Sequence, residues 1–153
     1  MVPKYGEGDW FAVPLRDRGF ALGIVARSNP KGALLGYFFG PRHHAVPSLA
    51  EASGLSAARA ILVGKFGHLG LKQGKWQILG RQHGWDRDAW PMPVFVRYEE
   101  LTGRTFDVMY DPDDPLSLIR EEQVSPGVAE QRPSDGLMGA GFVEVRLTSL
   151  LSS

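Results

Sequence analysis

The densest run of ionisable side chains is "YDPDDPLSLIREE" at 110–122, which holds Asp111, Asp113, Asp114, Glu121 and Glu122. Carboxylates spaced Asp-x-Asp-Asp can hold a hard cation, but the glycine and the closing glutamate of a calcium loop are missing from the required positions. The same residues suit a solvated acidic turn, or a patch that docks a basic partner. No carboxylate pair among them can be given acid and base roles from spacing alone. The histidines are His43, His44, His68 and His83. His43 and His44 are adjacent, so on a strand they would point to opposite faces and rarely share a metal. His68 and His83 flank an expected hairpin and could approach each other.

The chain has no cysteine, which removes disulfides, thiolate zinc sites and a cysteine nucleophile. No Walker loop, nucleophile elbow or zinc-protease helix occurs, and "GKFGHLG" and "GLMGAG" lack dinucleotide-binding spacing. No cofactor is therefore called for. Four tryptophans remain. Trp10 and Trp76 lie in strand-like stretches and read as core. Trp85 and Trp90 lie in the irregular "GWDRDAWPMP", where they could cover the end of a barrel or anchor a partner. Tryptophan and arginine dominate interface energetics, and Arg87 sits between the two. The setting predicts a buried Trp90, just before the strand, and a more exposed Trp85, among charges.

The elements that must position these residues are mostly strands. "DWFAVPL" (9–15), "GFALGIVAR" (19–27) and "ALLGYFFG" (33–40) are separated by turn chemistry and predict an antiparallel meander. Gly23 and Gly36 suggest bulges or bends within it. Further strands are expected in 58–67, 75–82, 93–98 and 105–111. Ser48 with Glu51 makes a capping box, and Gly54 a stop, for one short helix near 48–53. Segment 117–125 is ambiguous and 128–136 reads as loop. "FVEVRLTSLL" (142–151) alternates as a strand, the first choice, but also carries Val143, Leu147, Leu150 and Leu151 at helical spacing. The expected fold is mainly β, α+β at most: a bent antiparallel sheet or small SH3-like barrel with that one short helix.

Glycine (19) and proline (11) are enriched in these 153 residues, which favours short elements and many turns. Net charge is zero, but residues 1–90 hold 12 Lys/Arg and 6 Asp/Glu while residues 91–153 hold 5 and 11. The halves attract each other within one fold, or the acidic one meets a basic partner. Basic residues do not interleave with aromatics in a stripe, which weighs against nucleic acid. No apolar run approaches a membrane span and no secretory leader opens the chain, so a cytoplasmic protein is expected.

The segments "GDWFAVPL", "GFALGIVAR", "GYFFGPR", "LVGKFGHLGL", "GKWQILGR", "WPMPVFVRY" and "GAGFVEVRL" occur in an order that resembles the immunity protein 26 family, over roughly residues 8–147. The most specific pieces are Gly8-Asp9-x-Phe11-Ala12-x-Pro14-Leu15 and Trp90-Pro91-x-Pro93-Val94-Phe95. The resemblance implies a single immunity-type domain over 1–153 that neutralises a cognate polymorphic toxin by binding it, and it establishes no catalytic site. Because many such toxins are nucleases with positive grooves, the partner surface is expected at Asp111, Asp113, Asp114, Glu121 and Glu122, with Trp85 as an aromatic anchor. Some relatives carry a phosphotriesterase label, which implies an alternative: a metal-dependent hydrolase using His68 or His83 with the carboxylates of 107–114.

Overall fold

The computed structural model describes residues 4–152. Strands β1 (Asp9–Pro14), β2 (Phe20–Ser28), β3 (Ala33–His43), β4 (Leu62–Gly67) and β5 (Gln77–Arg81) join β9 (Leu137–Met138) in one sheet of order β5-β1-β2-β3-β4-β9. A second sheet, β6-β7-β8, is built from β6 (Phe95–Glu99), β7 (Arg104–Asp111) and β8 (Asp114–Val124). The protein is mainly β with strongly bent sheets, as expected, but no closed barrel forms. The expected meander is present, since β1 pairs β2 and β2 pairs β3, both antiparallel. The hairpin expected after β4 is not. β5 crosses to the far edge and pairs with β1, so β4 and β5 are not hairpin partners.

The six-stranded sheet is buried on both faces, which explains why β1–β3 read as nearly continuous apolar runs. Alternation divides neighbours between the two sides: Phe11, Phe38, Phe66 and Trp76 pack on one face, and Trp10, Leu22, Tyr37, Phe39 and Trp90 on the other. Trp10 and Trp76 are fully buried, as predicted. Gly36 lies at a bulge, because the register with β2 shifts next to its partner Val25, whereas Gly23 lies in a regular stretch opposite Phe38. Both make room for rings, because a Cβ on Gly23 would lie 2.5 Å from Phe11 and one on Gly36 2.5 Å from Phe66.

Helix α1 (Leu49–Ser53) forms where the capping box places it: Glu51 N–H donates to Ser48 Oγ (3.2 Å) and Ser48 N–H to Glu51 Oε2 (2.8 Å). It is not the only helix. Short turns α2 (Leu69–Lys72) and α3 (Pro126–Ala129) precede α4 (Ala140–Leu151), which corrects the first choice of a strand over 142–151. The helical spacing prevails because Val143 and Leu147 complete the cluster around Phe11 and Trp76, whose Nε1 donates to Glu144 (2.8 Å). No helix among the described residues is long and apolar enough to cross a membrane.

The small sheet and Trp90 cover the opposite face. There Tyr37 donates its hydroxyl to the Pro91 carbonyl, and burial pushes the phenol up to about 12. A raised phenol value favours the neutral form in the folded state. Its contribution is complete below the unfolded value of about 10 and is lost as pH rises from there towards about 12. Tyr110 is shifted in the same direction by burial and by its bond to Asp135. Urea midpoints should therefore fall above pH 10, by up to about 1.4 kcal/mol of stability per pH unit for Tyr37 and by less for the partly exposed Tyr110. Tyr37→Phe should flatten that decline. An identical decline in the variant would contradict the role given to Tyr37.

Candidate partner-binding surface

The acidic turn is held down from below. Arg27, 4% exposed on β2, donates through Nε to the Pro112 carbonyl (2.5 Å) and through Nη1 to the carbonyls of Ala26 (2.5 Å) and Trp90 (3.0 Å). Burial pushes its guanidinium below the ordinary value, and the nearby Arg87 charge adds to the shift. One buried fork thus ties the 111–114 turn and the tryptophan stretch to the main sheet. Asn29 secures the turn again by donating to Asp114 Oδ1 (2.7 Å), which also accepts from Leu116 N–H (2.9 Å). Asp111 caps the turn by accepting from Asp113 N–H (2.8 Å).

Asp113 reaches outward, with its side chain 72% exposed, and pairs with Arg87 Nη1 at 2.5 Å. Arg87 Nε pairs in turn with Glu7, and Glu7 Oε1 accepts from Trp85 Nε1 at 3.2 Å. The fold therefore does bring Trp85 alongside the acidic turn, through Glu7 and Arg87. Trp85 is half-buried: its ring stacks on Trp90 (6.4 Å between centroids, 20° between planes) and covers Gly8, where a Cβ would approach it to 3.0 Å. Trp90 beneath it is only 5% exposed. The predicted order of exposure is the observed one.

Glu7, Asp86, Asp88, Asp111, Asp113 and Asp114 are carboxylates of this region, against Arg87, the buried Arg27 and the exposed Arg81, which lies beside Trp85 at Gly8. Asp86 and Asp88 are exposed beside Trp85. Glu121 and Glu122 do not join them. They pair across the hairpin with Val108 and Asp107, seven and eight residues along β8 from Asp114, which at about 3.3 Å per residue is some 20 Å away. There Glu121 meets Arg97 (3.2 Å) and Glu122 meets Arg120 (2.9 Å).

Sequence reasoning overlooked Glu7 and Arg27 as parts of this surface. Arg27 gave one signal, a charged residue at the end of an otherwise apolar strand. Glu7 gave none, since it lies 78 residues from the indole it holds.

The residues weighed for metal chemistry are dispersed. No three His, Asp or Glu side chains among the described residues are grouped to hold an ion. His68 Nδ1 is hydrogen-bonded to the Tyr5 hydroxyl (2.6 Å), and Asp107 is paired with Arg132 (2.7 Å). The carboxylates of 107–114 thus have partners within the fold, and none of those partners is a histidine.

The family model described as Immunity protein 26 matches residues 6–107. No curated protein and no solved structure matches the chain. The match is shorter than the resemblance read over 8–147, and "GAGFVEVRL" lies outside it. Glu7, Arg27, Trp85, Arg87 and Trp90 fall within the matched residues, while the 111–114 turn and β8 lie beyond.

Proposed function

Because this chain belongs to the immunity protein 26 family, we propose that it neutralises a cognate toxin by binding it directly. Family membership carries the functional reading. The continuous path Trp85–Glu7–Arg87–Asp113 supports the choice of surface. An aromatic ring already stacked on a buried one loses little freedom on binding, and exposed carboxylates around it attract a positive partner. A toxin that binds nucleic acid has such a positive groove, because it must neutralise phosphates. The partner is thus a toxin domain with a basic cleft, met in the cytoplasm and without membrane or nucleic acid as a ligand. Glu121 and Glu122 lie too far along the hairpin to share a compact contact with Trp85, so the surface is centred on Asp111, Asp113, Asp114 and Trp85.

Co-expression with the toxin encoded beside this gene should restore growth, and the pair should co-elute on size exclusion. Absence of both rescue and complex would end this reading. Trp85→Ala should weaken the complex by about 2 kcal/mol, roughly thirtyfold in Kd. Asp113→Asn should chiefly slow association and reduce its dependence on salt. Unchanged affinity of both variants at two salt concentrations would move the interface elsewhere.

A further inference from the structure

The six-stranded sheet ends at the two-residue β9, which covers the outer edge of β4 only at Lys65 and Phe66. From Leu62 to Gly64 the outer side of β4 has no ladder partner among the described residues. The other edges are at least partly guarded, β6 by segment 133–135, which bonds to it at Val96. At β5, Leu49 of α1 lies over Gly80. At β8, a register shift opposite Tyr110 and the charges of Arg120, Glu121 and Glu122 obstruct pairing. The open part of β4 instead faces a groove of about 730 Å³, walled by residues 130–139 and by Phe142 and Arg146 of α4. Ile61 (38%), Leu137 (55%) and Phe142 (59%) leave apolar surface exposed around it.

We propose that this groove accepts an extended segment of a partner protein, which adds to the β4 edge as a further strand. The chain itself supplies the precedent: Leu137–Met138 pairs with β4 in parallel, and Met138 lies against Gly64, where a Cβ would come within 2.7 Å of its methyl. A strand would satisfy the open backbone groups, which a helix or an apolar small molecule would leave unpaired. Alternate side chains would meet Ile61, Leu137 and Phe142. Phe142 and Arg146 are four residues apart on one face of α4. Arg146 is exposed and takes part in none of the ion pairs among the described residues, whereas Arg132 is committed to Asp107. The incoming strand therefore carries a carboxylate towards Arg146. The wall is fixed in place by Lys65, whose Nζ donates to Tyr110 (2.7 Å) and Asp135 (2.9 Å), and by Asp135 N–H donating to the Val96 carbonyl (2.9 Å). This proposal does not depend on the acidic surface or on the toxin.

The probe is a phage-displayed library of random eight-residue peptides, selected on the whole chain. Peptides with apolar residues two apart and a nearby Asp or Glu should enrich. Their binding, read by fluorescence anisotropy, should be lost with Phe142→Asp. N-methylation of a peptide amide that faces β4 should weaken binding about fivefold to tenfold, and methylation of the next amide should not. Should Phe142→Asp fail to fold, Arg146→Glu provides a second reading, because it should shift the enriched charge from acidic to basic. No enriched peptide family, binding indifferent to N-methylation at every amide, or an enriched charge unaltered by Arg146→Glu would overturn the proposal. So would concentration-dependent dimerisation lost in the Phe142 variant, which would make the occupant a second copy of this chain.

Discussion

Replacing Trp90 with alanine should cost about 4 kcal/mol of folding stability, in the range for a large aromatic side chain removed from a packed core. The ring is 5% exposed and meets Trp10 (5.8 Å), Tyr37 (5.3 Å) and Phe39 (5.9 Å) edge to face. Those three residues come from β1 and β3 of the main sheet, and Phe95 and Val108 of the small sheet belong to the same cluster. A cavity at Trp90 therefore loosens the packing between the two sheets. Trp85→Ala should cost only about 1 kcal/mol, because that ring is half-exposed and gives up one stacking contact and one hydrogen bond. Urea unfolding of the two variants measures the difference. Equal losses would contradict the division of labour in which Trp90 closes the core and Trp85 covers it from outside.

Arg27→Met should destabilise the fold by about 3 kcal/mol. Methionine can fill the space of the stem, but the Trp90 and Pro112 carbonyls lose their donor, and each buried unpaired group costs about 1–3 kcal/mol. Removing a buried charge offsets part of this, which keeps the loss below the sum of the lost bonds. Arg27→Lys should recover less than half, since one ammonium cannot reach three carbonyls with the geometry of a planar fork. The effect should also be local. Amides at 111–114 should exchange faster in Arg27→Met, and the Asp113–Arg87 pair should loosen with them. A variant as stable as the parent, with unchanged exchange at the turn, would remove Arg27 as the residue that positions this surface.

Much of the architecture was legible in short windows of sequence. The Ser48–Glu51 box, the Asn-Pro and Gly turns of the meander and the strand character of β1 to β3 all rest on interactions within a few residues. Such interactions operate whatever the rest of the chain does. Trp10 could be assigned to the core because a strand that is apolar at nearly every position has no solvent face, and Trp76 because it adjoins the strand-like run Ile78-Leu79. The contrast between Trp85 and Trp90 was legible in the local setting, since one indole is followed by Asp86, Arg87 and Asp88 and the other precedes Pro-Met-Pro and the apolar start of β6.

Other features needed the tertiary structure. "FVEVRLTSLL" satisfies a period of two and a period of 3.6, and only the open apolar face beside Phe11 and Trp76 selects the helix that supplies Val143 and Leu147. The acidic run looked like one patch because its residues are close in sequence. In an extended strand, closeness in sequence means distance in space, so Glu121 and Glu122 are carried away from Asp113. Trp85 and Asp113 become neighbours through Glu7, an acid from the other end of the chain. Local propensity fixes what most segments become, with 142–151 the exception. Which side chains share a surface is decided by pairings between distant segments, and those depend on the free energy of the whole packed arrangement.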